Sequence, residues 1–383
     1  MDLEIKVIRD AAGFAAEAAD WNGLVGRATH RNSFYRHEWF ATWLQHLAPA
    51  ADLRVVTLSR QGRLAAAAPL QVVPERKRGL TLRVLQFLQS GITPRSALLV
   101  EDDDLCGPLL GAIDALGDWH VAELKAMELE SVTTRRFAAE LRRRGPAVAE
   151  AGMVSPYEEL PDSWDAYYQA RTNKIRQRFR GAVNRIGRHG QVEVLRLDTY
   201  AALEPHFAEL IEVSSRSWKG DEGMDIATVG QVAAFYQDYS RRTDGQGAWI
   251  VYLLRLDGRP AAFMYLLRDG SHWVALRSDY DEEFSHSMPG VFLHKEVIGD
   301  LAALPPPRIY DLVGFATPFK SSLANMGRPL CDFTFGGANL AGRALMAGKA
   351  ALGRRGTARH LDLDQVIAGT VPPPEDPSGG PDV

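Results

Sequence analysis

Two short segments far apart in the chain have closely similar sequences, and both are typical of a tight β-hairpin. Gly62-Arg63-Leu64-Ala65-Ala66 resembles Gly258-Arg259-Pro260-Ala261-Ala262 at an offset of 258 − 62 = 196 residues. In each copy the glycine permits the left-handed backbone of a two-residue turn, and small residues open the returning strand. Solenoid repeats recur every ~20–50 residues, so this much longer spacing favours a duplicated domain.

The order of predicted elements around the two hairpins supports duplication. In the first half, helices over 11–19 and 34–46 precede the hairpin at 53–73, and a strand at 80–88, a helix at 105–116, a strand at 120–129 and a helix at 132–144 follow it. In the second half the pattern predicts a single long helix over 163–189, a strand over 191–197, helices over 200–218 and 229–242, the hairpin at 249–267, a strand over 272–279, a helix over 291–304, and strands over 309–313 and 330–335. This order predicts an α/β chain of the α+β type with a mixed sheet.

The domain boundaries follow from the same order. We expect an N-terminal domain over 1–160, a C-terminal domain over 161–345, and a last segment over 346–383 with a helix and a Pro/Gly-rich disordered tail. A chain of 383 residues is long enough for two such domains.

Composition and charge exclude several classes of protein. Hydrophobic residues make up 46% of the chain and the net charge is −4, which excludes a mostly disordered chain and a globally basic nucleic-acid binder. The two cysteines, Cys106 and Cys331, fit a reducing compartment, and the charged N-terminus resembles no secretory signal. No apolar run approaches the ~20 residues of a membrane span. We therefore expect a cytoplasmic protein.

The positive charge is nevertheless concentrated in one segment. Residues 171–188 carry seven cations and no acid: Arg171, Lys174, Arg176, Arg178, Arg180, Arg185 and Arg188. On a helix, Ile175, Phe179, Ala182 and Ile186 share one apolar stripe beside the cations. A solvated helix face is the ordinary interpretation of such a run. Because like charges at these spacings repel, a polyanionic ligand is the alternative: nucleotide phosphates, a lipid diphosphate, tRNA or an anionic membrane surface.

Three further segments have the residue types of a site. A strand ends at Asp279-Tyr280-Asp281, and the loop Ser285-His286-Ser287-Met288 leads to a helix start at Pro289-Gly290, an order that aims backbone N–H groups at an anion. Tyr310-Asp311 and Lys320 follow on a later strand and loop, and Trp218-Lys219 ends a helix. Ordinary structural roles, as caps, a surface lysine and a core tryptophan, are the alternatives. The histidines and cysteines lack metal-ligand spacing, so no metal site is expected.

Together these segments resemble the double-domain branch of the GNAT acyltransferase superfamily that includes FemAB-type peptidyltransferases and CelD-type acetyltransferases. The matching pieces are Arg176–Gly190, Ser217–Lys219, the hairpin at 257–262, Tyr280-Asp281 with Phe284 and Pro289-Gly290, and Tyr310–Leu312 with Gly314 and Phe319-Lys320. The resemblance covers about 165–335. It implies two tandem GNAT-like domains, of which the N-terminal one is degenerate.

The resemblance also implies a chemistry: direct attack of an amine or hydroxyl on an activated acyl group, without a covalent enzyme intermediate. Lys320 would stabilise negative charge, Asp281 and Asp311 are candidate bases or clamps, and Tyr280 would line the acyl site or donate a proton. The donor would contact the loop and first helical turn at Ser287, Pro289, Gly290 and Val291. The substrate would contact Arg176, Arg178, Trp218, Lys219 and Tyr310.

One departure leaves the donor open. The superfamily's acetyl-CoA loop has the pattern Q/R-x-x-G-x-G/A, whereas this chain has one glycine there, and Pro289 has no N–H to donate. FemAB-like enzymes share this loss and use aminoacyl-tRNA, but the single helix over 163–189 is not their helical hairpin arm.

The sequence thus leads to three functional hypotheses. The first is N-acyl transfer from acyl-CoA, such as acetyl-CoA, to an amino group of a polysaccharide or cell-envelope precursor, with a small-molecule or lipid-linked acceptor and peripheral contact with the inner membrane face. The second is an aminoacyl-tRNA-dependent peptidyltransferase with tRNA as partner. The third is a non-catalytic binding protein for an anionic lipid or nucleotide sugar. Oligomeric state is left open.

Overall fold

A computed structural model describes residues 3–77, 79–88, 92–217, 230–353 and 360–370. These residues divide into two compact units. The first unit comprises Met1–Tyr35, Ala51–Val154 and Arg328–Val383, and the second comprises Arg36–Ala50 and Ser155–Gly327. The division differs from a single boundary near residue 160, because 36–50 belong with the second unit and 328–383 with the first.

The first half of the chain is built mainly from short strands. In chain order its elements are β1 Leu3–Ile8, α1 Ala11–Ala16, α2 Ala18–Arg27, α3 His37–His46, β2 Asp52–Leu53, β3 Val55–Arg60, β4 Arg63–Ala68, β5 Leu70–Lys77, β6 Leu80–Phe87, β7 Leu99–Val100, α4 Cys106–Ala115, β8 Val121–Glu128, α5 Val132–Arg144 and β9 Ala147–Glu159. Short 3₁₀ turns cover Ser33–Tyr35 and Asp103–Leu105.

The second half has longer helices. Its elements are α6 Trp164–Ala170, α7 Asn173–Ile186, β10 Val192–Leu197, α8 Tyr200–Leu203, α9 Phe207–Ser215, α10 Gly230–Arg242, β11 Trp249–Leu256, β12 Arg259–Asp269, β13 His272–Tyr280, α11 Pro289–Ala302, β14 Ile309–Asp311, α12 Pro318–Leu323, β15 Met326–Gly336, α13 Leu340–Gly353, β16 His360–Leu361 and α14 Leu363–Ala368. Glu204–His206 and Glu282–Ser287 form 3₁₀ turns.

The first unit contains two groups of hydrogen-bonded strands. One has the order β1-β3-β4-β7, and the other runs β15-β8-β6-β5-β2. β6 and β8 are parallel, whereas β8 and β15 are antiparallel. Helices α4 and α5 cover the strands, and Leu109, Ile113, Phe137 and Leu141 from these helices are buried in one core with the strand residues.

The second unit has one continuous sheet in the order β10-β11-β12-β13-β14, extended by residues 157–159 of β9. All these neighbours are antiparallel except β13 and β14, which are parallel. Helices α7 and α11 pack on one face, where Ile175, Phe179 and Val297 join the buried core. On α3, the ring of Trp39 lies 4.9 Å from that of Phe235 on α10, which explains why this segment belongs with the second unit.

The two hairpins share more than their sequence. Gln61-Gly62 and Asp257-Gly258 both have positive φ at both turn positions, as a type I′ turn requires. The register of each hairpin shifts at the same place, between Leu58 and Ser59 in the first copy and between Leu254 and Arg255 in the second, again 196 residues apart (254 − 58). Related sheets keep their β-bulges at the same positions, so a bulge shared by the two hairpins supports duplication of the whole unit.

Several predicted helices are divided in the structure. The helix predicted over 11–19 is α1 and α2, and the one predicted over 200–218 is α8, a 3₁₀ turn and α9. The single helix expected over 163–189 is two helices, α6 and α7, separated at Arg171-Thr172. Thr172 is the N-cap of α7 and its side chain accepts a hydrogen bond from the N–H of Ile175, so a new helix starts there. The apolar stripe is correct, because Ile175, Phe179, Ala182 and Ile186 are the buried residues of α7.

Candidate functional site

The basic segment divides into a buried cation and an exposed row. Arg171 is buried, and its guanidinium donates to the carboxylate of Glu158 at 2.6 Å, so this cation of the run is not available to a polyanionic ligand. Lys174, Arg178, Arg180, Arg185 and Arg188 are exposed along α7 and just beyond it. The exposed row, not the whole run, is therefore available to an anion.

An open cleft lies where this row ends. It has a volume of about 470 Å³ and is lined by Arg185, Arg188, His189, His286 and Ser287. The guanidinium of Arg185 donates to the carbonyl oxygen of His286 at 2.8 Å, which fixes the end of α7 against the loop before α11. No carboxylate is among these lining residues, so the cleft is cationic and suited to an anion.

The cleft borders the first turn of α11. Met288, the N-cap, has a left-handed backbone with φ 55°, and Pro289 is the first helical residue. Because the first N–H groups of a helix have no partner within it, Gly290 and Val291 direct their N–H groups outward from this end. The predicted donor residues Ser287, Pro289, Gly290 and Val291 thus lie together at one helix start.

A second feature is the place where two parallel strands separate. β13 pairs with β14 only over His272–Val274, although it pairs with β12 as far as Tyr280. Tyr280 is half-buried at the end of β13, with a ring carbon 3.6 Å from the position that a Cβ on Gly290 would take. Burial, with the carboxylate of Glu282 nearby, raises the pKa of Tyr280. Its phenol therefore stays protonated near neutral pH.

Asp311 and Lys320 hold the same strained turn. Val313 has φ 40°, an unfavourable value for a β-branched residue, and Gly314 follows with φ 66°. The N–H of Val313 donates to Asp311 Oδ1 at 3.0 Å, and Lys320 Nζ donates to the carbonyl oxygen of Val313 at 2.7 Å. Asp311 Oδ2 also lies 3.0 Å from His272 Nε2. Both residues therefore position the backbone at the end of β14.

The acid at the end of β13 is also a capping residue. Asp281 is 2% exposed, accepts the N–H of Glu283 at 2.9 Å and lies 3.4 Å from the guanidinium of Arg216. Nearby, Asp279 accepts from Arg277 Nε at 2.7 Å and from the hydroxyl of Ser214 at 2.8 Å. The Asp279 network was missed, because its members come from two elements whose pairing the sequence does not show.

The remaining predicted substrate residues fall in different places. Arg178 lies 4.6 Å above the ring of Phe319, close to Lys320, whereas Arg176 donates to Gln169 and Asn173 beside α6. Tyr310 is fully buried, and its hydroxyl lies 2.8 Å from His294 Nδ1. Trp218 and Lys219 lie outside the described residues.

His294 was not predicted. Burial, with the nearby charge of Lys320, lowers the pKa of His294 to about 3, so its imidazole is neutral at physiological pH. Its ring also lies 5.4 Å from that of Phe319.

In the part of the chain that the structure describes, no group of three or more His, Cys, Asp or Glu is placed to hold a metal ion, and no helix is long and apolar enough to cross a membrane.

One family model matches the segment that contains this site. Residues 173–321 match the family model of the acetyltransferase (GNAT) domain. The matched range contains α7, the cleft, Tyr280, Asp311 and Lys320. No curated protein sequence matches the chain significantly.

Solved structures share the fold of most of the chain. FemX is 13% identical with a TM-score of 0.56, covering 86% of this chain and 96% of its own. The C-terminal domain of a lysylphosphatidylglycerol synthetase from Agrobacterium fabrum is 14% identical with a TM-score of 0.56, covering 88% and 97%. A protein of unknown function from Bacteroides thetaiotaomicron is 10% identical with a TM-score of 0.51, covering 87% and 99%. Such low identities show a shared double-domain fold and nothing of substrates.

Proposed function

We propose that this GNAT acyltransferase with a FemAB-like double-domain fold transfers an acyl group from an acyl-CoA to an amino group of a polysaccharide or cell-envelope precursor. The cationic cleft at the start of α11 carries the proposal. Its arginines and histidines compensate for the missing glycine-rich loop, because side-chain cations take the place of backbone N–H groups in holding a diphosphate. A diphosphate bound there would lie beside Gly290 and Val291.

The acyl group would then lie where β13 and β14 separate. Tyr280, protonated at neutral pH, would donate its proton to the leaving thiolate as the C–S bond breaks. Lys320 and Asp311 would act by holding the Val313-Gly314 backbone next to the reacting carbonyl, with the charge of Lys320 favouring the oxyanion. The acceptor ammonium would first give a proton to a base, and the neutral amine would attack the thioester carbonyl; its remaining excess proton would leave to solvent as the C–S bond breaks and the amide forms. Asp281 is the proposed base, and ligand binding would have to open its contact with Arg216.

The acceptor would approach along the exposed cations. Arg176, Arg178, Trp218, Lys219 and Tyr310 remain the proposed substrate residues, and a lipid-linked saccharide would bring the enzyme to the inner face of a membrane. Arg178 is the best placed of the described residues, since its guanidinium contacts Phe319 beside Lys320.

The test is acyl transfer by the purified full-length chain from acetyl-CoA to a panel of amino-sugar acceptors, read by mass spectrometry. Product that forms with RNase present and without any tRNA supports the proposal. Absence of product with every acyl-CoA and every amino-sugar acceptor would overturn it.

A second candidate is an aminoacyl-tRNA-dependent ligase. The observation that favours it is the exposed row from Lys174 to Arg188, which is longer than a single diphosphate requires. Activity that needs charged tRNA, disappears with RNase and falls steeply with salt would select this alternative.

A further inference from the structure

Three side chains at the cleft form a hydrogen-bonded chain to which the proposed function assigns no proton transfer. His189 Nδ1 lies 2.9 Å from Asp257 Oδ2, and His189 Nε2 lies 3.1 Å from the hydroxyl of Ser287. His189 and Ser287 line the cleft, whereas Asp257 lies in the β11–β12 turn behind them. We call these residues the Asp257–His189–Ser287 relay.

The direction of the first bond is fixed by charge. Asp257 also accepts the N–H of Gln191 at 2.9 Å, and that bond together with His189 lowers the pKa of its carboxyl. Asp257 is therefore ionised at neutral pH and can only accept hydrogen bonds. The Nδ1 atom of His189 must carry the proton, so it is Nε2 that gains or loses the second one.

The protonation of Nε2 decides what Ser287 offers the cleft. When Nε2 is bare it accepts the Ser287 proton, and the hydroxyl presents only its lone pairs to a ligand. When Nε2 is protonated it donates to the Ser287 oxygen, which frees the O–H to donate into the cleft. In the second state a bound anion is attracted by the positive charge on His189 and can accept a hydrogen bond from the Ser287 hydroxyl.

We propose that binding of an anionic donor in this cleft takes up one proton from solvent, at His189 Nε2, and that Asp257 makes this uptake favourable. The inference deepens the proposed function and rests on it, because the anion is the diphosphate of the donor. By reciprocity, affinity for the anion must rise as the pH falls.

The charged groups around His189 have opposite effects on the protonation of its imidazole. Arg185 and Arg188, from its own segment, oppose a further positive charge, whereas Asp257 favours it; His286, from the loop, is the other titratable group that lines the cleft. On the Phe284 side the ring is 6.2 Å away, and beyond it Arg259 and Glu283 are paired at 2.6 Å and cancel. A bound diphosphate reverses the balance, since it neutralises the two arginines and adds negative charge beside the imidazole.

The experiment uses calorimetric titration of the full-length chain with dephospho-CoA, whose diphosphate does not itself titrate near neutral pH. Titrations at about pH 7.5 in two buffers of different ionisation enthalpy give the protons taken up per ligand, and titrations at about pH 6 and about pH 8 give the trend of Kd. The wild type should take up a measurable fraction of one proton and bind more tightly at the lower pH.

Three variants separate the relay from the cleft. His189→Gln should abolish the uptake and lose about tenfold in affinity at the lower pH, with little change at the higher. Asp257→Asn, which keeps the acceptor for Gln191 and tolerates the left-handed backbone at φ 52°, should reduce both uptake and affinity. His206→Gln is the matched control, because it removes a histidine that pairs with a carboxylate, Glu209, at 2.9 Å outside the cleft, and it should retain both the uptake and the affinity.

Two outcomes overturn the inference, and they are distinguishable. Binding of dephospho-CoA without proton uptake, or with uptake that survives in His189→Gln, refutes the relay and leaves the donor cleft intact. No binding of dephospho-CoA at either pH refutes the proposed donor and the relay with it.

Discussion

The two copies of the domain begin the same way at the loop before their central helix and then differ in the length of that loop. Asp102 caps the turn of the first copy by accepting the N–H of Asp104, and Asp281 caps that of the second by accepting the N–H of Glu283. Two acids follow the cap in both copies, Asp103-Asp104 in the first and Glu282-Glu283 in the second, and Asp103 accepts from the hydroxyl of Thr133 at 2.7 Å. The second has Ser285-His286-Ser287 facing two arginines. The turn of the first copy covers only Asp103–Leu105, whereas the longer turn of the second, Glu282–Ser287, adds the residues that line the cationic cleft.

Each copy also buries an acid at the end of the strand that follows its central helix, but the two acids have different partners. In the first, Glu128 on β8 is 6% exposed and contacts His30, Arg95 and Arg328. In the second, Asp311 on β14 holds the strained turn that Lys320 also contacts. We infer that the first copy retains its polar cluster for stability and the second for positioning the reaction.

The largest expected effect in the second copy comes from Lys320→Ala. Loss of the Nζ contact frees the Val313-Gly314 turn and removes a positive charge from the proposed acyl site, so kcat/KM should fall by about 100-fold or more. Lys295→Ala, on the outer side of α11 where the lysine pairs with Glu296, is the control and should stay near wild type. Equal activity of the two variants in acyl transfer would contradict the account.

In the first copy, Glu128→Gln should reduce stability without reducing activity. The neighbouring cations hold the pKa of Glu128 at about 2, below its ordinary value, so its contribution is present above about pH 4.5 and is lost as the pH falls toward 2. Removing one member of a buried charge cluster should cost about 3 kcal/mol at neutral pH. Chemical denaturation at neutral and acidic pH measures this; kcat reduced as strongly as in Lys320→Ala would place catalysis in the first copy too.

The cleft itself is tested by the double variant Arg185→Gln with Arg188→Gln. Two lost charge-assisted contacts should raise the KM for acyl-CoA by about 30-fold at low salt and by less at high salt. Arg180→Gln, on the same helix but directed toward Tyr168, is the matched control and should change KM little. A similar loss in the control would point to the whole row, as a tRNA would require.

A smaller effect is expected from Tyr280→Phe. If the phenol protonates the leaving thiolate, kcat should fall by about tenfold while the KM for acyl-CoA stays unchanged. Because the pKa of Tyr280 is raised, wild-type activity should persist at alkaline pH until the phenol ionises, and this alkaline decline should be absent from the variant. An unchanged kcat would remove Tyr280 from the reaction.

Local chemistry made much of the fold predictable from sequence. The 3.6-residue period of Ile175, Phe179, Ala182 and Ile186 predicted the buried face of α7, and the Asp257-Gly258 turn predicted the hairpin, because both depend on near neighbours. The break between α6 and α7 could also be predicted from the sequence, since threonine at position 172 is a residue type that favours the N-cap of a new helix.

The site was harder to predict because its contacts join distant residues. His189 contacts Asp257 across 68 positions and Ser287 across 98, so no spacing rule relates them. Likewise the partner of Arg171 is Glu158 on β9, which lies outside the run of seven cations over 171–188 and so is not visible in that run. Burial of His294 depends on the packing of α11 on β14, which periodicity does not reveal.

A crystal structure of the full-length chain with CoA tests the central claim most directly. The account predicts the diphosphate in the second copy's cleft, within hydrogen-bond distance of Arg185 or Arg188 and of the Gly290 or Val291 N–H, with the thiol toward Tyr280. Density for CoA anywhere else, or none at saturating CoA, would contradict it.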